Sequence, residues 1–159
     1  MNFTIIAVGR LKDKFFKDAA VEYIKRINAF GKVSIFEIDA ANLSDNHSDI
    51  ELSKALEKEA TSIIEKIPKG AAVIPLCIEG KQYSSDELSS LFDDYANSGV
   101  SNICFIIGGS VGLDESIKKL GIIKLSMSKM TFPHRLARIM LLEQIYRACT
   151  ISAGMKYHK

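Results

Sequence analysis

Five short apolar runs punctuate the chain at residues 3–8, 33–38, 71–78, 103–107 and 122–125. Each is largely β-branched and bounded by turn formers, the signature of strands. Helical spacings fill the intervals. Residues 14–30 place Phe15, Ala19, Tyr23, Ile24 and Ile27 on one face, and residues 50–67 do the same with Leu52, Ala55, Leu56, Ala60, Ile63 and Ile67. Ser84 with Glu87 three residues on forms a capping-box signature that starts a third helix through Leu88, Leu91, Phe92 and Tyr95, ending near Gly99. Asp114 caps a short helix before Gly121, and Pro133 suits the first turn of a final one. Parallel strands need long crossovers, usually helical, so the alternation predicts an α/β/α sandwich around a mostly parallel sheet.

The final helix, residues 136–151, is apolar nearly all round, with Leu136, Ile139, Met140, Leu141, Leu142, Ile145, Tyr146 and Ile151. A surface helix needs only one apolar stripe, so this one predicts burial on more than one side, in its own core and against a second subunit. Glu143 and Arg147 interrupt the pattern at the four-residue spacing of a helical ion pair.

At 159 residues the chain has the length of one domain, 1–159. Its content of 47% hydrophobic and 25% charged residues is that of a globular protein, and no run reaches the roughly 20 apolar residues of a membrane span. The opening run turns at Gly9-Arg10 into charged sequence and reads as a first strand rather than a signal peptide. Cys77, Cys104 and Cys149 fall in apolar segments without metal-ligand spacing, which predicts reduced, buried thiols in a cytoplasmic protein and no metal. The net charge of +2 neither demands nor excludes a nucleic acid. Its distribution is lopsided. After Gly121 come Lys124, Lys129, Arg135, Arg138, Arg147, Lys156 and Lys159, against Glu143 as the only acid. That end suits a polyanion, and equally a solubilising surface.

Candidate chemistry gathers in the last third. Gly108 and Gly109 follow the fourth strand, at the end of a sheet where open α/β folds bind ligands. The loop Gly108-Gly109-Ser110-Val111-Gly112 lacks both the dinucleotide glycine fingerprint and the lysine of an ATPase phosphate loop. With the strand ends around Leu76–Lys81 and residues 125–131 it can form a pocket for a planar, hydrogen-bonding ligand. His134 is a candidate base or phosphate contact, or a local hydrogen-bonding residue. Arg135 and Arg138, on the first turns of a helix, are candidate phosphate contacts. Tyr157-His158-Lys159 is either a frayed end or a segment that stacks on a base.

Several segments, taken together and in order, resemble the ribosomal RNA large subunit methyltransferase H family of SPOUT-class enzymes. They are Val8-Gly9-Arg10-Leu11-Lys12, Tyr23, Leu76 through Glu79-Gly80-Lys81, Ser84-Ser85, Phe105 through Gly108-Gly109 and Gly112-Leu113, Leu125-Ser126 through Met130-Thr131-Phe132-Pro133-His134, Glu143 through Ala148, and Tyr157-His158-Lys159. The likeness covers all 159 residues, with Lys156 standing where the family usually has proline. The resemblance implies a deep trefoil knot near the carboxyl end and S-adenosyl-L-methionine bound in it. It assigns the cofactor to Leu76, Gly108, Gly109, Met127, Ser128, Lys129, Met130, Thr131 and Phe132. It further implies a homodimer in which one subunit's tail reaches the other's cofactor. The activity implied is methylation at N3 of a pseudouridine in helix 69 of 23S rRNA on assembled ribosomes, with no membrane involvement. On that reading His134, Arg135, Tyr157 and His158 serve the reacting base, while Arg138, Lys156 and Lys159 hold RNA. A noncatalytic rRNA-binding module and a metabolic enzyme for a small phosphorylated ligand are the competing readings.

Overall fold

The computed structural model describes residues 1–158; Lys159, expected to hold RNA, lies outside the described residues. Ten elements follow in order: β1 (Asn2–Val8), α1 (Lys14–Ile27), β2 (Val33–Ile38), α2 (Asp49–Ile64), β3 (Ala72–Gln82), α3 (Ser85–Asn97), β4 (Asn102–Ile107), α4 (Glu115–Lys118), β5 (Leu125–Ser126) and α5 (His134–Ser152). The five strands form one sheet in the order β2-β1-β4-β3-β5, with every pairing parallel.

Strand alternation divides the interior into two cores, because successive side chains leave opposite faces of the sheet. Phe3, Ile5 and Ala7 of β1 and Ile103, Phe105 and Ile107 of β4 point to one side, against α1, α3 and α5. Ile6 and Val8, with Cys104 and Ile106, point to the other, against Ala60 and Ile63 of α2 and Ile117 of α4. Both strands are therefore buried on both faces, and the result is the expected three-layer α/β/α arrangement.

Caps set the helix starts. Ser84 and Glu87 form the predicted capping box at α3, and Asp114 accepts from Ser116 N at α4. A second capping box, Ser48 with Glu51, starts α2 and was equally legible in the sequence. The fifth strand is shorter than its apolar run. Around Gly121 the chain packs against Pro75 and the Val73 carbonyl, Ile122 stands 99% exposed, and pairing begins only at Leu125. In β3, Leu76 and Lys81 both register with Leu125, so residues 77–80 bow out of the ladder. Cys77 and Cys104 are buried, whereas Cys149 is only half-buried. Burial pushes the Cys104 thiol up to about 12 and Cys149 to about 11, so both stay protonated and unreactive.

Candidate functional site

A crevice of about 710 Å³ opens at the carboxyl ends of β3, β4 and β5, within the usual size of small-molecule sites. Four segments wall it: the bowed residues of β3, the loop after β4, Lys118 of α4, and residues 127–134 leading into α5. Leu76, Ile78, Ile107, Leu113, Leu125 and Met130 make most of the lining apolar. The bow in β3 turns Ile78 and Glu79 toward the crevice, which an unbroken ladder would not do.

Local contacts hold the loops. Gly112 N donates to Gly109 O at 3.1 Å, folding the glycine loop back on itself. A Cβ on Gly108 would sit 2.5 Å from the Gly112 carbonyl oxygen, so this glycine is required by the loop's own backbone. In the next loop Ser126 Oγ donates to Ser128 O, and Met130 N donates to Ser128 Oγ at 3.0 Å. Lys118 bridges Glu79 at 2.8 Å and Glu115 at 2.9 Å, tying the bow to α4. Those two hydrogen bonds raise the ammonium's pKa, and Lys118 in turn lowers that of Glu79.

His134 lines the crevice at the first residue of α5. Burial, then the neighbouring Arg135 and Arg138 charges, hold its pKa below the ordinary 6.5, so the imidazole is neutral at pH 7. Arg135 pairs with Asp13 at the start of α1, 3.0 Å away. Arg138 corrects the expectation of a phosphate contact. It is 1% exposed, donates to Glu37 at 2.5 Å and to Gly9 O at 2.8 Å, and faces no solvent. Sequence could not reveal this, because Glu37 lies on β2 and joins Arg138 only through the fold.

Of the nine cofactor positions expected, eight line the crevice, and Lys129 instead projects into solvent. Lys118 had no warning in the sequence, where it is one of two adjacent lysines on a short helix. Tyr157 and His158 are far from this site within one chain. Tyr157 packs on Tyr146 with ring centroids 4.7 Å apart, lies under Arg147 at 4.8 Å and donates to Glu143 at 3.3 Å. His158 lies 3.5 Å from both Arg147 and Asp86. Lys156 is exposed. From His134 to Arg147 the helix rises about 20 Å, so the four residues expected to serve the reacting base fall into two groups.

The cationic end of the sequence is also less cationic in space. Arg135, Arg138 and Arg147 are paired to Asp13, Glu37 and Glu143, the last as the spacing predicted. Among the described residues, no cluster of His, Cys, Asp or Glu is arranged to hold a metal ion, and no helix is long and apolar enough to cross a membrane.

A parallel α/β/α sheet with a glycine-rich loop beside a crevice at its strand ends is an arrangement that places a small-ligand site there. Residues 1–158 match the family described as predicted SPOUT methyltransferase. The chain is 48% identical over 159 residues to the putative ribosomal RNA large subunit methyltransferase H of Methanococcus maripaludis, covering 100% of both chains. It is likewise 48% identical to ribosomal RNA large subunit methyltransferase H of Clostridium botulinum and 45% identical to that of Bacillus cereus, again over 100% of each chain. A probable methylase family protein from Haemophilus influenzae shares the fold at a TM-score of 0.58 and 13% identity, over 99% of this chain and 70% of that one. The chain belongs to the SPOUT methyltransferases and, within them, to the ribosomal RNA large subunit methyltransferase H family.

Proposed function

We propose that this methyltransferase uses S-adenosylmethionine to methylate N3 of a pseudouridine in helix 69 of 23S rRNA, on assembled ribosomes in the cytoplasm. The observation that carries the reading is the crevice itself, apolar and backbone-rich, with His134 on its wall. Its residues fit the cofactor. Aliphatic side chains suit a purine, the glycine loop and residues 127–132 offer backbone donors and acceptors, and Glu79 provides a carboxylate acceptor for hydroxyl groups. We further propose that the whole chain is one domain, and that the loops around the crevice form the trefoil knot.

When bound, the cofactor supplies a methyl group activated on a sulfonium, so the protein's task is positioning and charge. A neutral His134 has one lone pair, which accepts from N3–H of the target base and directs that nitrogen into the crevice. Cations near the base carbonyls stabilise the negative charge that develops as N3 passes its proton to the His134 lone pair. Further groups around the base come from a second subunit. Leu136, Met140, Glu143 and Arg147 share one side of α5, and all are half-buried or exposed. Packing this stripe against its copy in antiparallel fashion, as a two-fold interface requires, brings Tyr157 and His158 of the partner subunit beside the first subunit's crevice. Lys129 and Lys156, exposed and without a carboxylate partner among the described residues, then remain for phosphate.

The test is incubation with tritiated S-adenosylmethionine and ribosomes lacking the modification. Label in helix 69 is expected. Tight ribosome binding without label would instead establish a noncatalytic module, and ribosome-independent turnover a metabolic enzyme.

A further inference from the structure

The ion pair of buried Arg138 with partly exposed Glu37 lies next to the crevice but outside it, and the mechanism gives it nothing to do. Such a pair is weak evidence for stability, since the cost of desolvating Arg138 offsets much of the attraction. What it grips is more informative. Arg138 sends one guanidinium nitrogen to Glu37 Oε1 and the other to the Gly9 carbonyl oxygen, and Leu11 N donates to that same Glu37 oxygen at 3.1 Å. Gly9 N in turn donates to Ile38 O at 2.8 Å. The turn after β1 is thus fastened on both sides of Gly9, to β2 and to α5.

Gly9 has φ +93°, a conformation that favours glycine, and its open side faces the His134 ring. A Cβ there would lie 3.0 Å from His134 Nε2. Just before it, Val8 lies under the crevice loop, with Cγ1 at 3.2 Å from where a Gly109 Cβ would be. One clamped turn therefore abuts both the glycine loop and the imidazole.

We propose that Glu37 and Arg138 are positioning residues: by clamping the turn at Gly9 they set the plane of the His134 imidazole against the crevice. The inference rests on the role given to His134 under the proposed function. Charges around the ring agree with a site that keeps it neutral. Arg135 and Arg138 stand beside it on α5, each paired to an acid from another element, Asp13 and Glu37. Glu37 itself is held below the ordinary carboxylate range. Burial opposes its charge, but hydrogen bonds from Arg138 and Leu11 N outweigh that penalty.

The experiment uses Gly9→Ala, which touches the ring directly, and Glu37→Gln, which loosens the clamp at a half-exposed position. Both should lower methyl-transfer kcat by about tenfold to 10²-fold, the cost of a small misplacement, while S-adenosylhomocysteine affinity stays within about twofold. In a His134→Ala background, Gly9→Ala should cost nothing further, because both changes act through one group. Wild-type kcat in both variants would overturn the proposal, as would losses that multiply with His134→Ala. Imidazole NMR resonances of His134 in the free protein supply a readout independent of turnover. Displaced resonances in Gly9→Ala and Glu37→Gln support the clamp, and unchanged ones defeat it, even if the wild-type enzyme transferred no methyl to ribosomes and the functional reading itself failed.

Discussion

The two ends of α5 are built on opposite principles. At its start, Pro133, His134 and Ala137 border the crevice, Arg138 is sealed beneath it, and every charge is answered by an acid from a distant part of the chain. At its end, Glu143, Arg147 and Tyr157 form a half-exposed cluster drawn mainly from α5 and the tail that follows, with Asp86 of α3 reaching it at His158. The first end depends on long-range contacts and orders a pocket; the second is mostly local and keeps its aromatic and cationic groups near solvent. One rigid helix thus carries two clusters about 20 Å apart, which under the proposed function are halves of a site that a second subunit completes.

Gly108→Val should have the largest effect, because its side chain meets backbone at the Gly112 carbonyl rather than a movable side chain. Calorimetric titration with S-adenosylhomocysteine should show affinity falling by roughly 10²-fold or more. Unchanged binding would remove the glycine loop from the crevice wall. Next is deletion of residues 157–159. Methyl transfer to ribosomes should fall by about 10²-fold with cofactor affinity nearly unchanged. The melting temperature should drop little, since the described losses are one aromatic pair worth about 0.5–1.5 kcal/mol and a handful of partly exposed contacts: the Tyr157–Glu143 hydrogen bond, the Arg147 guanidinium over Tyr157, and His158 with Arg147 and Asp86. Parallel loss of cofactor binding would show that the tail belongs to the first half-site.

Mixing those two variants sharpens the contrast. Mixed dimers carry one intact site, with crevice and tail from different chains, so the mixture should regain roughly a quarter of wild-type activity. No recovery from folded, exchanging subunits would mean that the tail serves its own chain. The smallest effect is on pH dependence. His134 has a pKa below 6.5 in the folded chain, so between the two values the unfolded chain binds more protons. Stability should therefore decline as pH drops through 6.5, levelling off below the folded pKa. Urea unfolding across that range should show a shallower decline in His134→Gln, and an identical slope in both proteins would place the imidazole in solvent.

Periodicity and short-range chemistry by themselves determined the layers. Apolar runs gave β1, β2 and β4 within a residue or so, and Ser84 and Asp114 marked helix starts, because strand alternation and capping act over a few residues. The apolar excess of α5 was likewise visible, as was the Glu143–Arg147 pair at its four-residue spacing. The shortened β5 was not, since its apolar run says nothing of how the chain packs around Gly121 against β3. Nor was the fate of Arg138, which sequence presents as a free cation on a first helical turn. Only the tertiary structure decided that it meets Glu37 and Gly9, and that Lys118 joins the crevice. Each of these depends on which distant segments the sheet order brings together, and no local spacing encodes that order.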